Sequence, residues 1–115
     1  MSLANFVVCP VLVTYKAVSI VADDDDQHAV AYVQPEDLDD FFPHFRITDR
    51  QRVRLVAENL GTFREIISQK YERREWMSEE RSGCTVRRID VELVDLLAEP
   101  RLLGGLLYGR EPARE

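Results

Sequence analysis

The stretch from Thr48 to about Glu79 constrains this chain most. Val53, Val56, Ala57, Leu60, Phe63, Ile67 and Tyr71 recur mostly three and four residues apart. At 3.6 residues per turn they share one face of a helix. Arg54, Glu58, Thr62, Glu65, Gln69 and Glu72 occupy the opposite face. A helix patterned this way must cover something apolar. Thr48 with Gln51 three residues on makes a capping-box start. Arg54 and Glu58 are placed to pair at i,i+4. The apolar stripe keeps its phase across Gly61, so we expect the helix to run through that glycine as a bend or a close-packing point.

What the helix covers is read upstream. Phe6 to Tyr15 is rich in Val and aromatic residues and suits a strand, with Pro10 restricting it to an edge, a bulge or a break. Ala17 to Ala22 and Ala29 to Val33 are β-prone runs on either side of Asp23–Asp26, which reads as a hairpin with a solvated acidic tip. Pro35 with Glu36 and Asp37 starts a short helix that aims Leu38, Phe41 and Phe42 at the core, and Pro43 stops it. Ser82 and Gly83 end the helical region. Cys84 to Val91 reads as a strand with Thr85, Arg87, Ile89 and Val91 on one face, and Leu93 to Ala98 as a helical turn before Pro100. The expected architecture is α+β: a small antiparallel sheet of three or four strands packed against one long amphipathic helix and a short helix. Residues 1–100 form one domain. Residues 101–115 form an apolar, Gly-rich tail docked on its own chain or on a partner.

The order of these elements, and the runs Val18–Ala22, Ala29–Val33, Pro35–Leu38, Lys70–Arg73 and Val86–Val91, resemble a small bacterial family known as domain of unknown function fourteen-eighty-eight. The resemblance spans residues 11–97. It implies an α+β fold and a bacterial cytosolic origin, and it brings no reaction and no catalytic residues. The tail after Pro100 has no counterpart in it.

Charge narrows the function. The 115 residues carry a net charge of -6, and the acidic excess lies in residues 1–46. A net acidic chain argues against strong nonspecific nucleic-acid binding. No apolar run of about 18 residues is present, so no membrane span is expected, and Phe6 to Val13 lacks the basic flank and cleavage site of a signal peptide. Cys9 and Cys84 have no metal-ligand spacing and read as reduced thiols of a cytoplasmic protein. Asp23–Asp26 with His28 lacks the alternating ligands, glycine and distal Glu of a calcium loop. His44, with Asp39 or Asp40 to orient it and Cys9 or Cys84 as thiol, is the one nucleophile–base set that can be assembled, and no flanking motif supports it. No cofactor motif is present.

Three readings remain. The leading one is a non-enzymatic protein-interaction module that forms a homodimer. Its interface residues are Trp76, which falls on the polar side of the helix, and the tail residues Leu102, Leu103, Leu106, Leu107 and Tyr108. Trp76 serves equally well as a cap over the last strand. The alternative is a regulator touching nucleic acid or an acidic partner through Arg46, Arg50 and Arg54, with Arg73, Arg74, Arg81, Arg87 and Arg88 as a second patch. The third is a small enzyme that depends on His and Cys.

Overall fold

The computed structural model describes residues 3–10, 17–41, 48–81 and 83–98. Five strands and four helices follow one another as β1 (Ala4–Val8), β2 (Val18–Asp24), β3 (Gln27–Val33), α1 (Pro35–Phe41), α2 (Asp49–Glu58), α3 (Leu60–Glu72), β4 (Met77–Arg81), β5 (Cys84–Val91) and α4 (Leu93–Leu97). The strands form one sheet in the order β1-β2-β3-β5-β4. The fold is α+β, but the sheet corrects the expected one twice. It has five strands, and it is mixed: β3 and β5 run parallel, from Ala29 opposite Arg87 to Val33 opposite Val91. A parallel pair needs a long crossover, and residues 34–83, β4 included, supply it.

Alternation along the strands decides what is buried. Val18, Ile20 and Ala22 of β2, Ala29, Ala31 and Val33 of β3, and Ile89 and Val91 of β5 form one apolar face. Leu38, Val56, Phe63, Ile67, Tyr71 and Leu96, drawn from all four helices, pack on it. On the opposite face Val30 and Tyr32 form a smaller cluster with Ala17, flanked by Val21 and Val86, which draws on no helix.

The long helix is two helices. The capping box at Thr48 is present, with Gln51 N–H donating to the Thr48 hydroxyl and Thr48 N–H to the Gln51 side chain. The helix then breaks at Asn59, whose backbone (φ -111°, ψ 25°) leaves the helical region and whose side-chain amide donates to the Leu55 carbonyl at 2.9 Å. Asparagine competes for backbone partners in this way. The break alters the margins of the stripe and leaves its centre, Val56, Phe63, Ile67 and Tyr71, in the core. Ala57, expected inside, is exposed, while Ile66 joins the core and Lys70 is buried. The single helix expected to run through Gly61 is not formed: α3 starts at Leu60, so Gly61 lies in its first turn, where an added Cβ would meet nothing within 4 Å, and neither close packing nor the break resides there.

The helical region also ends sooner than the pattern suggests. Residues 77–81, read as helix from the sequence, are strand β4 and pair with β5 from Met77 opposite Arg88 to Arg81 opposite Cys84. Both outer strands are blunted. β4 carries Glu79, Glu80 and Arg81, and β1 shifts register between Ala4 and Val7, with Asn5 in the left-handed region at φ 59°. At the hairpin, Asp23 and Asp24 extend β2 and pair with His28 and Gln27, leaving Asp25 and Asp26 as the turn. Among the described residues no helix is long and apolar enough to cross a membrane.

Phe63 and Gly61 test this packing in opposite directions. Phe63→Ala, at a fully buried position, should lower unfolding stability by about 3–5 kcal/mol. Gly61→Ala, on an open helix surface, should raise it by about 1 kcal/mol. Denaturant titration of the two variants reads both, and a destabilising Gly61→Ala would show that the surface there is not open.

Candidate functional site

The C-terminal half of α3 concentrates the polar structure of the molecule. Its last turn places Tyr71 against the sheet and Lys70 toward α4. The Tyr71 hydroxyl donates to the Asp24 carboxylate at 2.7 Å and accepts from the Arg87 guanidinium. Arg87 lies 3.9 Å from Asp24, and its guanidinium stands over the Trp76 ring, 4.4 Å from the ring centre. Trp76 stacks on Tyr71 with 6.3 Å between centroids. Trp76 therefore caps β5 within its own chain through Arg87. Asp24 belongs to the acidic tract that the sequence places wholly in water, yet it is 9% exposed. One donor, Tyr71, and one nearby cation, Arg87, both on elements distant in sequence, make that burial tolerable. Burial pushes the Tyr71 hydroxyl above the ordinary tyrosine range and the Asp24 bond pushes the same way, with Arg87 opposing both.

Lys70, 7% exposed, bonds to Asp95 at 2.7 Å and approaches Glu75 at 4.0 Å. Asp95 also accepts the Glu92 N–H at 2.8 Å in the capping box that starts α4. One carboxylate thus fixes α4 both to its own first turn and to α3. No spacing signal announces a pair 25 residues apart.

α3 stops in a Schellman motif. Glu75 N–H bonds back to the Lys70 carbonyl at 2.9 Å and Arg74 N–H to the Tyr71 carbonyl at 3.0 Å. The motif needs a left-handed residue, and Arg74 fills it at φ 60°, where glycine is usual. The side chain makes that conformation cost about 1–2 kcal/mol. A cation near a helix C-terminus returns about 0.3–1 kcal/mol, so the strain is not offset. The absence of Gly hid this helix end from the sequence reading. The basic run Lys70, Arg73, Arg74 was the available signal.

A notch of about 330 Å³ opens beside this motif, where β4 leaves β5. β5 extends beyond its last β4 partner, Arg88, and Ile89–Val91 are paired on the β3 side. Lys70, Arg74, Trp76, Met77 and Asp90 are among the residues lining the notch. Met77 is 57% exposed there.

The arginine patches do not assemble. Arg54 is exposed and bonded to Glu58 at 2.9 Å. Arg50 is exposed in the first turn of α2, and Arg46 lies outside the described residues. Arg52 is instead held by Asp39 and Asp49 at 2.9 and 2.7 Å. In the second patch Arg73 pairs with Glu75, Arg87 points into the helix layer, and Arg88 pairs with Glu79 and Asp90 on the other face of the sheet. His44 and the tail residues Leu102, Leu103, Leu106, Leu107 and Tyr108 also lie outside the described residues. Cys9 follows the β1 edge and Cys84 begins β5, with β2 and β3 between those strands. His28 bonds Asp23 at 2.8 Å on the surface. Among the described residues no three His, Cys, Asp or Glu side chains converge as metal ligands would. Comparison with protein-family models, with curated proteins and with solved structures gives no match.

Away from this site, Asp37 of α1 is a carboxylate whose surroundings disfavour its charge. Asp37 is raised above the ordinary 3.8 by burial first, then by Glu92, Asp40 and Glu36, against a bond from the Leu93 N–H. A raised acid stabilises the fold fully below its ordinary value and loses that contribution as pH rises through the raised one. Asp37→Asn keeps an acceptor for Leu93 and removes the charge. The variant should be more stable than the parent at neutral pH, and the difference should vanish below about pH 3.8 and shrink in high salt. Denaturant curves across pH read it, and a variant less stable at pH 7 would reverse the assignment.

Proposed function

We propose that this chain is a non-enzymatic interaction module that works as a homodimer, with α4 and the apolar tail in the interface. The observation that carries the reading is the outer side of α4. Val94 and Leu97, one helical turn apart, are 65% and 55% exposed, while Leu96 between them is fully buried. A short helix anchored by one leucine and offering two more apolar side chains leads directly into a segment with four further leucines and a tyrosine. Contiguous exposed apolar surface of this kind marks interaction sites, and a self-complementary patch is the usual basis of a closed dimer. The resemblance to the bacterial family adds a bacterial, cytoplasmic setting to this reading and no activity.

The alternative, nucleic acid or an acidic partner held by Arg46, Arg50 and Arg54, has less support. Arg54 is already neutralised by Glu58, and phosphate binding draws on free cations. An enzyme dependent on His and Cys would need one of the two thiols to meet His44, which lies outside the described residues, and no flanking motif supports such a pair.

Sedimentation equilibrium tests the proposal. The full chain should sediment as a dimer. Val94→Glu with Leu97→Glu should give a monomer with an unchanged circular-dichroism spectrum, because both side chains are already solvent-exposed. A monomeric full chain, or a dimer indifferent to the double substitution, would remove α4 from the interface.

A further inference from the structure

We propose that the notch at the end of α3 binds an organic monocarboxylate on an apolar body, with Arg74 receiving the carboxylate and Trp76 and Met77 forming the apolar wall. Three observations converge on it. The first is the residue at φ 60°. The Schellman bonds are made by backbone N–H groups, and glycine would make them without strain, so the helix end does not require an arginine side chain. Strain retained at one position points to a use for what is held there.

The second is the balance of charge. Lys70 is neutralised by Asp95, and Arg88 by Glu79 and Asp90. Glu75 is taken by Arg73, and Glu92 caps α4. Among the described residues the Arg74 side chain has no hydrogen-bond or ion-pair partner. It is the uncompensated cation of the notch. The same acids set the ligand's charge. Glu75, Asp90 and Glu92 line the cavity, so a dianion such as phosphate meets about twice the repulsion that a single carboxylate does.

The third is shape. A volume of about 330 Å³ is at the lower end of small-ligand sites. Met77 opens a strand and is 57% exposed, and Trp76, which precedes it and also lines the notch, has its indole held by Tyr71 and Arg87. A fixed aromatic ring and a pliable thioether suit an aliphatic or aromatic body of modest size.

Trp76 is the only tryptophan of the chain, so its fluorescence reports the notch directly. The intact protein is titrated at low salt with N-acetyl-L-leucine, with N-acetyl-L-leucine amide and with inorganic phosphate. We expect a saturable change with the carboxylate, binding of the amide weaker by about tenfold or more through loss of the charge-assisted bond, and no saturation with phosphate. Arg74→Gly should lose the carboxylate response while melting at the same or a higher temperature, so loss of binding cannot be loss of the fold. The proposal is overturned by an amide or phosphate that binds as well as the carboxylate, by binding that survives Arg74→Gly, by an Arg74→Gly variant that melts lower, or by no response at tens of millimolar carboxylate. It does not depend on the oligomeric state.

Discussion

The parallel pairing of β3 with β5 is the contact on which the rest of the molecule depends. It joins two hairpins, β2–β3 and β4–β5, into one sheet. Neither hairpin offers enough apolar surface to seat the helices alone. Only when Ala29, Ala31 and Val33 lie beside Ile89 and Val91 does the face exist on which Phe63, Ile67 and Leu96 pack. The pairing closes a loop made of residues 34–83, and the entropy of that closure must be met before the core repays it. The two hairpins are local and can form early. Their union belongs late in folding.

How much of this was legible in the sequence follows from the range of each interaction. The β2–β3 hairpin, the capping box at Thr48, the Arg54–Glu58 pair and the strand at Cys84 are set by residues close in sequence, and they were readable. β4 was not. Met77–Arg81 has the composition of a charged helix face, and only its register against β5 makes it a strand. The Asn59 break was obscured because the stripe stays nearly in phase across it. The parallel pair was invisible for a different reason: nothing in Val86–Val91 says which neighbour it will take. At the candidate site the aromatic partner Trp76 was visible as an oddity, whereas Asp24, Arg87 and Lys70 acquire meaning only when elements remote in sequence meet.

The fold consumes its own charge. Arg52, Arg54, Arg73, Arg87, Arg88 and Lys70 each meet a carboxylate within the chain. Exposed pairs of this sort contribute little stability, but they cancel the field that would draw polyanions. The half-buried ones act otherwise: Lys70–Asp95 fixes α4 relative to α3 and Arg87–Asp24 fixes the hairpin end relative to β5, and misplacing either element would leave a charge buried without its partner. Their contribution is to the uniqueness of the arrangement.

The blunted strands at both ends of the sheet have a further consequence. One margin is kinked by Asn5 and the other is crowded with Glu79, Glu80 and Arg81. Lateral growth of the ladder is thereby disfavoured along β1 and β4, and with it the route by which small β-rich proteins seed fibres. Whatever this molecule recruits must approach through side chains, from the helical layer or from the corner where β4 departs.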